Sequence, residues 1–185
     1  IIAGKDGYLT NNKGWRLGLF DGAPAKTFQF YRGWTSTDGT WNTGATTANT
    51  GMHHYAVTYN GSSASNDPVM YIDSVSQSIT ESSTPTGSLG DDTTKFIFIG
   101  DRDDGVLPSF DGKIISLAVF NVVLSAAEIA DAYNSRLAIP TYRGLVFAPL
   151  LCGATSLQVF DGATLAGANT LVDYVSGAVG TPSGS

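Results

Sequence analysis

Between Met52 and Asn134 the chain repeatedly lays down a short run of β-branched and aromatic residues and closes it with glycine, asparagine or aspartate. That punctuation favours short antiparallel strands over long helices. Met52-His53-His54-Tyr55-Ala56-Val57-Thr58-Tyr59 ends at Asn60-Gly61, a turn signal. Val69-Met70-Tyr71-Ile72-Asp73 and Val75-Ser76-Gln77-Ser78-Ile79 are spaced for a tight hairpin. Lys95-Phe96-Ile97-Phe98-Ile99-Gly100-Asp101-Arg102 then leads through Asp103-Asp104-Gly105 to the run from Phe110 to Asn121. Two strands flank an acidic loop.

One helix interrupts this pattern. In Leu124-Ser125-Ala126-Ala127-Glu128-Ile129, Ser125 can cap free amides at a helix start while Glu128 reaches back to it, and the helix is predicted to end near Tyr133-Asn134. Upstream, Trp15 to Gly22 and Thr27 to Arg32 alternate as half-buried strands around a turn containing Pro24. The Thr-, Asn- and Gly-rich stretch from Gly33 to Gly51, with Trp34 and Trp41 inside it, reads as a long loop with an edge strand.

Taken in order, Met-His-His-Tyr-Ala-Val-Thr-Tyr-Asn-Gly, Tyr-Ile-Asp, Phe-Ile-Gly-Asp, Phe-Asp-Gly-Lys-Ile and Leu-Ser-Ala-Ala-Glu-Ile resemble the laminin G-like domains of the concanavalin A-like superfamily. The resemblance covers most of residues 1 to 135. It implies an all-β, antiparallel, jelly-roll-like sandwich with one short helix near 125–135. The family usually has Trp where Met52 stands and Gly where Ser74 follows Tyr71-Ile72-Asp73. It also usually opens with a strand resembling Gly-Leu-Val-x-Tyr-x-Pro-Leu, which the N-terminus lacks, whereas Arg143-Gly144-Leu145-Val146-Phe147-Ala148-Pro149-Leu150 is similar to it. The chain is therefore expected to form a single domain over 1–185, circularly permuted against the family, with 143–180 supplying the missing strands. Two other arrangements stay open: strand exchange with a second copy, giving a homo-oligomer, or the start of a further domain.

Composition narrows the function. A chain of 185 residues, 42% hydrophobic and 14% charged, has enough apolar material for a folded core. Its net charge of −6, with basic residues scattered, argues against a nucleic-acid partner. No apolar stretch approaches the ~20 residues of a membrane helix, so membrane insertion is not expected. Cys152 is the single cysteine and reads as a small buried hydrophobe. Ile1 is preceded by neither an initiator Met nor a basic leader, which fits a fragment or a processed product and leaves the compartment unread.

Candidate chemistry is sparse. Sugar-cleaving members of the superfamily carry closely spaced carboxylates on one strand, but the only glutamates here are Glu81, in a Ser/Thr-rich stretch, and Glu128, at the helix cap. No enzyme is expected. His53 and His54, adjacent on a strand, should point to opposite faces, one inside and one outside. Asp101, Asp103 and Asp104 are the candidate metal ligands, because Ca²⁺ takes several oxygen donors and a Gly turn follows them. Arg102 and the absence of a closing Glu speak for a plain solvated loop instead. Asp91-Asp92, after Gly90, is a second acidic spot, more easily explained as a turn preceding the strand that starts at Lys95 than as a further part of the Asp101–Asp104 site. Tyr31, Trp34 and Trp41 are candidate platforms for stacking on a sugar, with core packing as the alternative use of the same rings. The expected role is recognition of a glycan or protein, calcium assisting. Assembly of a viral particle or cell surface is the alternative, and an extracellular or virion location rests on the resemblance alone.

Overall fold

The structure, a computed structural model, describes residues 1–5, 13–22, 25–44, 51–95, 97–100, 110–135, 145–147, 171–172 and 179–180. The chain divides into two compact units, residues 1–111 and 112–185.

The first unit is built on a long hairpin. β2 (Trp15–Gly22) and β3 (Ala25–Arg32) pair antiparallel without a break from Trp15↔Arg32 to Gly22↔Ala25. Because side chains alternate across a strand, this register puts Leu17 and Leu19 opposite Phe30 and Phe28 on one face. β1 (Ala3–Lys5) joins the free side of β2, and β9 (Ile97–Ile99) joins β1. On the other side lie β4 (Gly39–Thr43) and then β8 (Ile79–Ser83), giving a six-stranded sheet in the order β8-β4-β3-β2-β1-β9. A second, three-stranded sheet consists of β5 (Tyr55–Thr58), β6 (Val69–Ile72) and β7 (Val75–Ser76).

The two sheets meet through aromatic side chains. Phe28, Phe30 and Trp41 from the larger sheet form one buried cluster with Met70 and Ile72 from the smaller. Ring centroids lie 5.8 Å apart for Phe30 and Trp41, 5.0 Å for Phe28 and Tyr55, and 5.3 Å for Trp41 and Tyr59. These are ordinary contact distances for offset or tilted aromatic pairs. The sandwich implied by the resemblance is thus present, and the chain is mostly β.

Two local readings change, at β4 and in the run from Phe110 to Asn121. β4 is not an edge strand: it lies between β3 and β8, because Ile79 does not extend the hairpin of Val69–Ser76 but opens a strand that pairs with β4. The pairing skips one residue of β8, with Thr40 opposite Ser83 and Trp41 opposite Glu81, a bulge held by Ser83 Oγ donating to the Asp38 carbonyl at 2.6 Å. Asn60-Gly61 opens the loop that leads to β6, in which Asn60 Oδ1 accepts from the Ser62 amide. Finally, the run from Phe110 to Asn121 is extended over a shorter span than expected, with strand structure at β10 (Val119–Phe120).

The turn between β6 and β7 explains a departure from the family pattern. Asp73 and Ser74 both have positive φ, 50° and 66°, and connect the paired residues Ile72 and Val75. Such a two-residue loop requires left-handed backbone at both positions. Asp tolerates it, and Ser does so at a cost that Gly would avoid.

In the second unit α1 runs from Ala126 to Ser135. Its start is the expected capping box: Glu128 N donates to Ser125 Oγ at 3.3 Å, and the Ser125 amide donates to Glu128 Oε2 at 2.7 Å. Leu124 and Ile129 are buried beside it. β10 pairs antiparallel with β11 (Leu145–Phe147), and β12 (Leu171–Val172) with β13 (Val179–Gly180). Cys152 lies outside the described residues.

Two substitutions test this account. Trp41→Ala should destabilise the first unit by about 3–5 kcal/mol in urea unfolding, as expected for removing a fully buried large ring. Ser74→Gly should stabilise it by about 1 kcal/mol, because the left-handed strain is relieved.

Candidate functional site

The side chains singled out in the sequence as sugar platforms are used for packing. Trp41 is fully buried in the inter-sheet cluster, and its indole Nε1 donates to Asp67 Oδ1 at 2.8 Å. Trp34 is 2% exposed and Tyr31 6%. A pyranose needs an open ring face, and none of these rings presents one, so the core role holds for them in place of the platform. The physical reason is alternation: Trp41 shares a sheet face with Phe30, its cross-strand partner, and that face is the inside of the sandwich.

Tyr31 and Trp34 belong instead to a tightly tied corner. Asp38 follows the turn after Trp34, and its Oδ1 accepts from the Trp34 amide at 2.7 Å while its Oδ2 accepts from the Tyr31 hydroxyl at 2.6 Å. Lys13 Nζ lies 3.5 Å from Asp38 and also donates to the Trp34 carbonyl. The Arg16 guanidinium sits over the Tyr31 ring, 3.9 Å from its centroid. Thr35 and Thr37 are bridged to Ser88 and Thr86, which binds this turn to the loop after β8.

A second cluster lies where that loop continues. Arg32, nearly buried, donates from Nη1 to Asp92 Oδ2 at 2.6 Å and from Nη2 to the Gly90 carbonyl at 3.2 Å. Lys5 Nζ is 3.4 Å from the other Asp92 oxygen. Asp92 therefore faces two cations, and its negative charge is spent on them. Asp91 is fully exposed and accepts from the Thr93 amide; that bond, with the Thr93 side chain, holds its carboxyl below the usual range. The reading of Asp91-Asp92 as a turn before the next strand fits both, and the Lys95 amide donates to the Asp92 carbonyl at 3.0 Å.

Tyr59 links the aromatic core to this corner. Burial pushes its hydroxyl above the ordinary value of 10.0, while the Trp34 indole and the Arg32 charge pull the other way. The Tyr59 oxygen and Trp34 Nε1 are both buried, and neither makes a well-formed hydrogen bond.

The histidines differ from expectation. His53 and His54 are both half-buried, and both are tied to the β6–β7 turn. His53 Nδ1 is 2.7 Å from Asp73 Oδ2, and the His54 amide donates to Asp73 Oδ1 at 2.8 Å. They do not divide into one inside and one outside, because the segment up to His54 precedes β5 and need not alternate as a strand does.

Neither glutamate is placed as one of a catalytic pair. Glu128 caps α1, and Glu81 is exposed on β8, where it accepts from Thr84 Oγ1 at 3.0 Å. Asp101, Asp103 and Asp104 lie outside the described residues. Among the described residues no group of three or more His, Cys, Asp or Glu side chains is arranged to hold a metal ion. No helix among them is long and apolar enough to cross a membrane.

A family profile, of the concanavalin A-like lectin/glucanases superfamily in its laminin G-like branch, matches residues 1–130. The chain belongs to this superfamily. Among curated proteins and among solved structures, none matches the chain. The laminin G-like fold is compatible with a binding module, and that is as far as membership carries function.

Sequence reasoning missed Asp38, Asp73 and Asp92 as organising residues. Asp38-Gly39 and Asp73-Ser74 were legible as turn signals, but the partners they hold were not.

Asp92→Ala should leave Arg32 buried without its carboxylate and cost about 3 kcal/mol in urea unfolding. Asp91→Ala, at the exposed neighbour, should leave the unfolding midpoint nearly unchanged.

Proposed function

We propose that this chain is a non-enzymatic recognition module that binds a carbohydrate or a protein. The observation that carries the reading is its membership of the concanavalin A-like superfamily over residues 1–130 together with the way its two glutamates are used, one as a helix cap and one on an exposed strand. The acid and nucleophile pair that sugar cleavage requires would have to be drawn from aspartates, and Asp38, Asp73 and Asp92 are held in structural hydrogen bonds or ion pairs. Recognition therefore falls to loop surfaces in preference to the buried tryptophans.

Calcium at Asp101, Asp103 and Asp104 is part of the same proposal, since three carboxylates before a glycine offer the oxygen donors that the ion prefers. So is closure of the sandwich by the segment 143–180, whose residues similar to the family's opening strand are Arg143-Gly144-Leu145-Val146-Phe147-Ala148-Pro149-Leu150. The alternative, a structural module of a virus particle or cell surface, makes the same fold serve subunit contacts and needs no small ligand.

A glycan array probed in millimolar calcium, and again after chelation, tests the proposal. Selective binding lost on chelation is the expected result and would implicate the Asp101 loop. Selective binding that survives chelation would keep the module and remove the ion. A blank array, with oligomers that persist on dilution in light scattering, would overturn recognition of sugars in favour of assembly.

A further inference from the structure

The loop between β5 and β6 opens with Asn60-Gly61, and the Asn60 side chain is folded back along its own chain, its Oδ1 accepting from the Ser62 amide at 3.1 Å. That local bond spans the Gly61 residue, so it keeps the side-chain amide carbon of Asn60 close to the backbone nitrogen of Gly61. Asn60 is exposed, as are Ser62 and Ser63 after it, and water reaches the site. Glycine at 61 has no side chain to obstruct the approach of its own nitrogen. The Ser62 N–H also meets the oxygen on which negative charge gathers when a nucleophile adds to the amide carbon, as the donors of an oxyanion hole do.

We infer that Asn60 is a site of spontaneous deamidation in the folded protein, with water as the co-reactant and aspartate and isoaspartate as the products. The Gly61 nitrogen loses its proton to base and bonds to Asn60 Cγ. The Cγ–Nδ2 bond then breaks, the leaving nitrogen takes up a proton and departs as ammonia, and a five-membered imide is left. Water opens the imide at either carbonyl. Cleavage at Cγ restores the original chain path with aspartate at position 60. Cleavage at the main-chain carbonyl carbon leaves Gly61 joined through Cγ and a free carboxylate where the Asn60 carbonyl stood.

The surroundings single out this asparagine. Asn42 is pinned across the larger sheet, accepting from Gln29 Nε2 at 2.8 Å and donating to Ser82 Oγ at 2.9 Å. Asn66 donates from Nδ2 to the Asn60 carbonyl at 2.9 Å, and Asp67 follows it. Asn121 and Asn134 precede Val122 and Ser135, whose side chains crowd the attacking nitrogen. Asp38 also precedes a glycine, but its carboxylate is tied to the Tyr31 hydroxyl and the Trp34 amide, and an ionised carboxylate is a poor electrophile. The isoaspartate form bears on the core, because the same loop carries Asp67 to the Trp41 indole and one extra backbone carbon enters that path.

Incubation of the whole chain in warm, mildly alkaline buffer made with heavy-oxygen water, followed by peptide mapping in a mass spectrometer, tests the assignment. The expected result is that the peptide containing Asn60 exchanges its amide for a labelled carboxyl group and splits into two chromatographic forms, while Asn42, Asn66, Asn121 and Asn134 keep their amides. Gly61→Ala should slow the change several-fold; its Cβ would lie 2.9 Å from Leu89 Cδ2, a side-chain end that can give way. Asn60→Gln, which would have to close a larger ring, should leave position 60 unchanged. An Asn60 that stays intact in the native chain, equal loss at the other asparagines, or a Gly61→Ala chain that reacts at the native rate would each overturn it.

Discussion

The contact on which the first unit depends is the aromatic seam between its sheets. Phe28, Phe30 and Trp41 stand on neighbouring strands of the larger sheet, and Tyr55, Tyr59, Met70 and Ile72 meet them from the β5–β6 side. Two sheets with one apolar face each have no reason to be stable alone; burying those faces against each other supplies the driving force. The Trp41 indole N–H, which would be a liability in so dry a place, finds Asp67. That single bond lets the largest side chain occupy the centre while the Asn60–Pro68 loop is pulled down over it.

Around this seam, charge serves positioning more than attraction of ligands. Asp38, Asp73 and Asp92 each sit where a turn must be held against a more distant segment, and each has two or more donors. Carboxylates suit this work because each offers two acceptor oxygens to donors arriving from different strands. The chain's acidic excess is thus partly absorbed inside its own loops.

The parts legible in the sequence were those set by near neighbours. Alternation in Trp15–Phe20 and Thr27–Arg32 gave the hairpin, and Ser125 with Glu128 gave the helix start, because donor and acceptor are three residues apart. What could not be read was set at a distance. Arg32 and Asp92 are separated by 60 positions, and no local pattern announces that they will meet. The placement of β4 depended on whether Ile79 stayed with its hairpin or crossed to the other sheet, a choice made by tertiary packing. The tryptophans misled as platforms for the same reason. Their residue type suits a sugar face and a core equally, and only the position of the opposing sheet decides.

All three tryptophans of the chain, Trp15, Trp34 and Trp41, fall in residues 1–111, and two of them are almost wholly shielded from water. Indole emission consequently speaks for the first unit and is silent about the second, whose helix carries Tyr133 in its place. The protein contains an optical label that distinguishes its halves, so a denaturation curve followed by tryptophan light and one followed by backbone ellipticity would separate if the two units unfold independently.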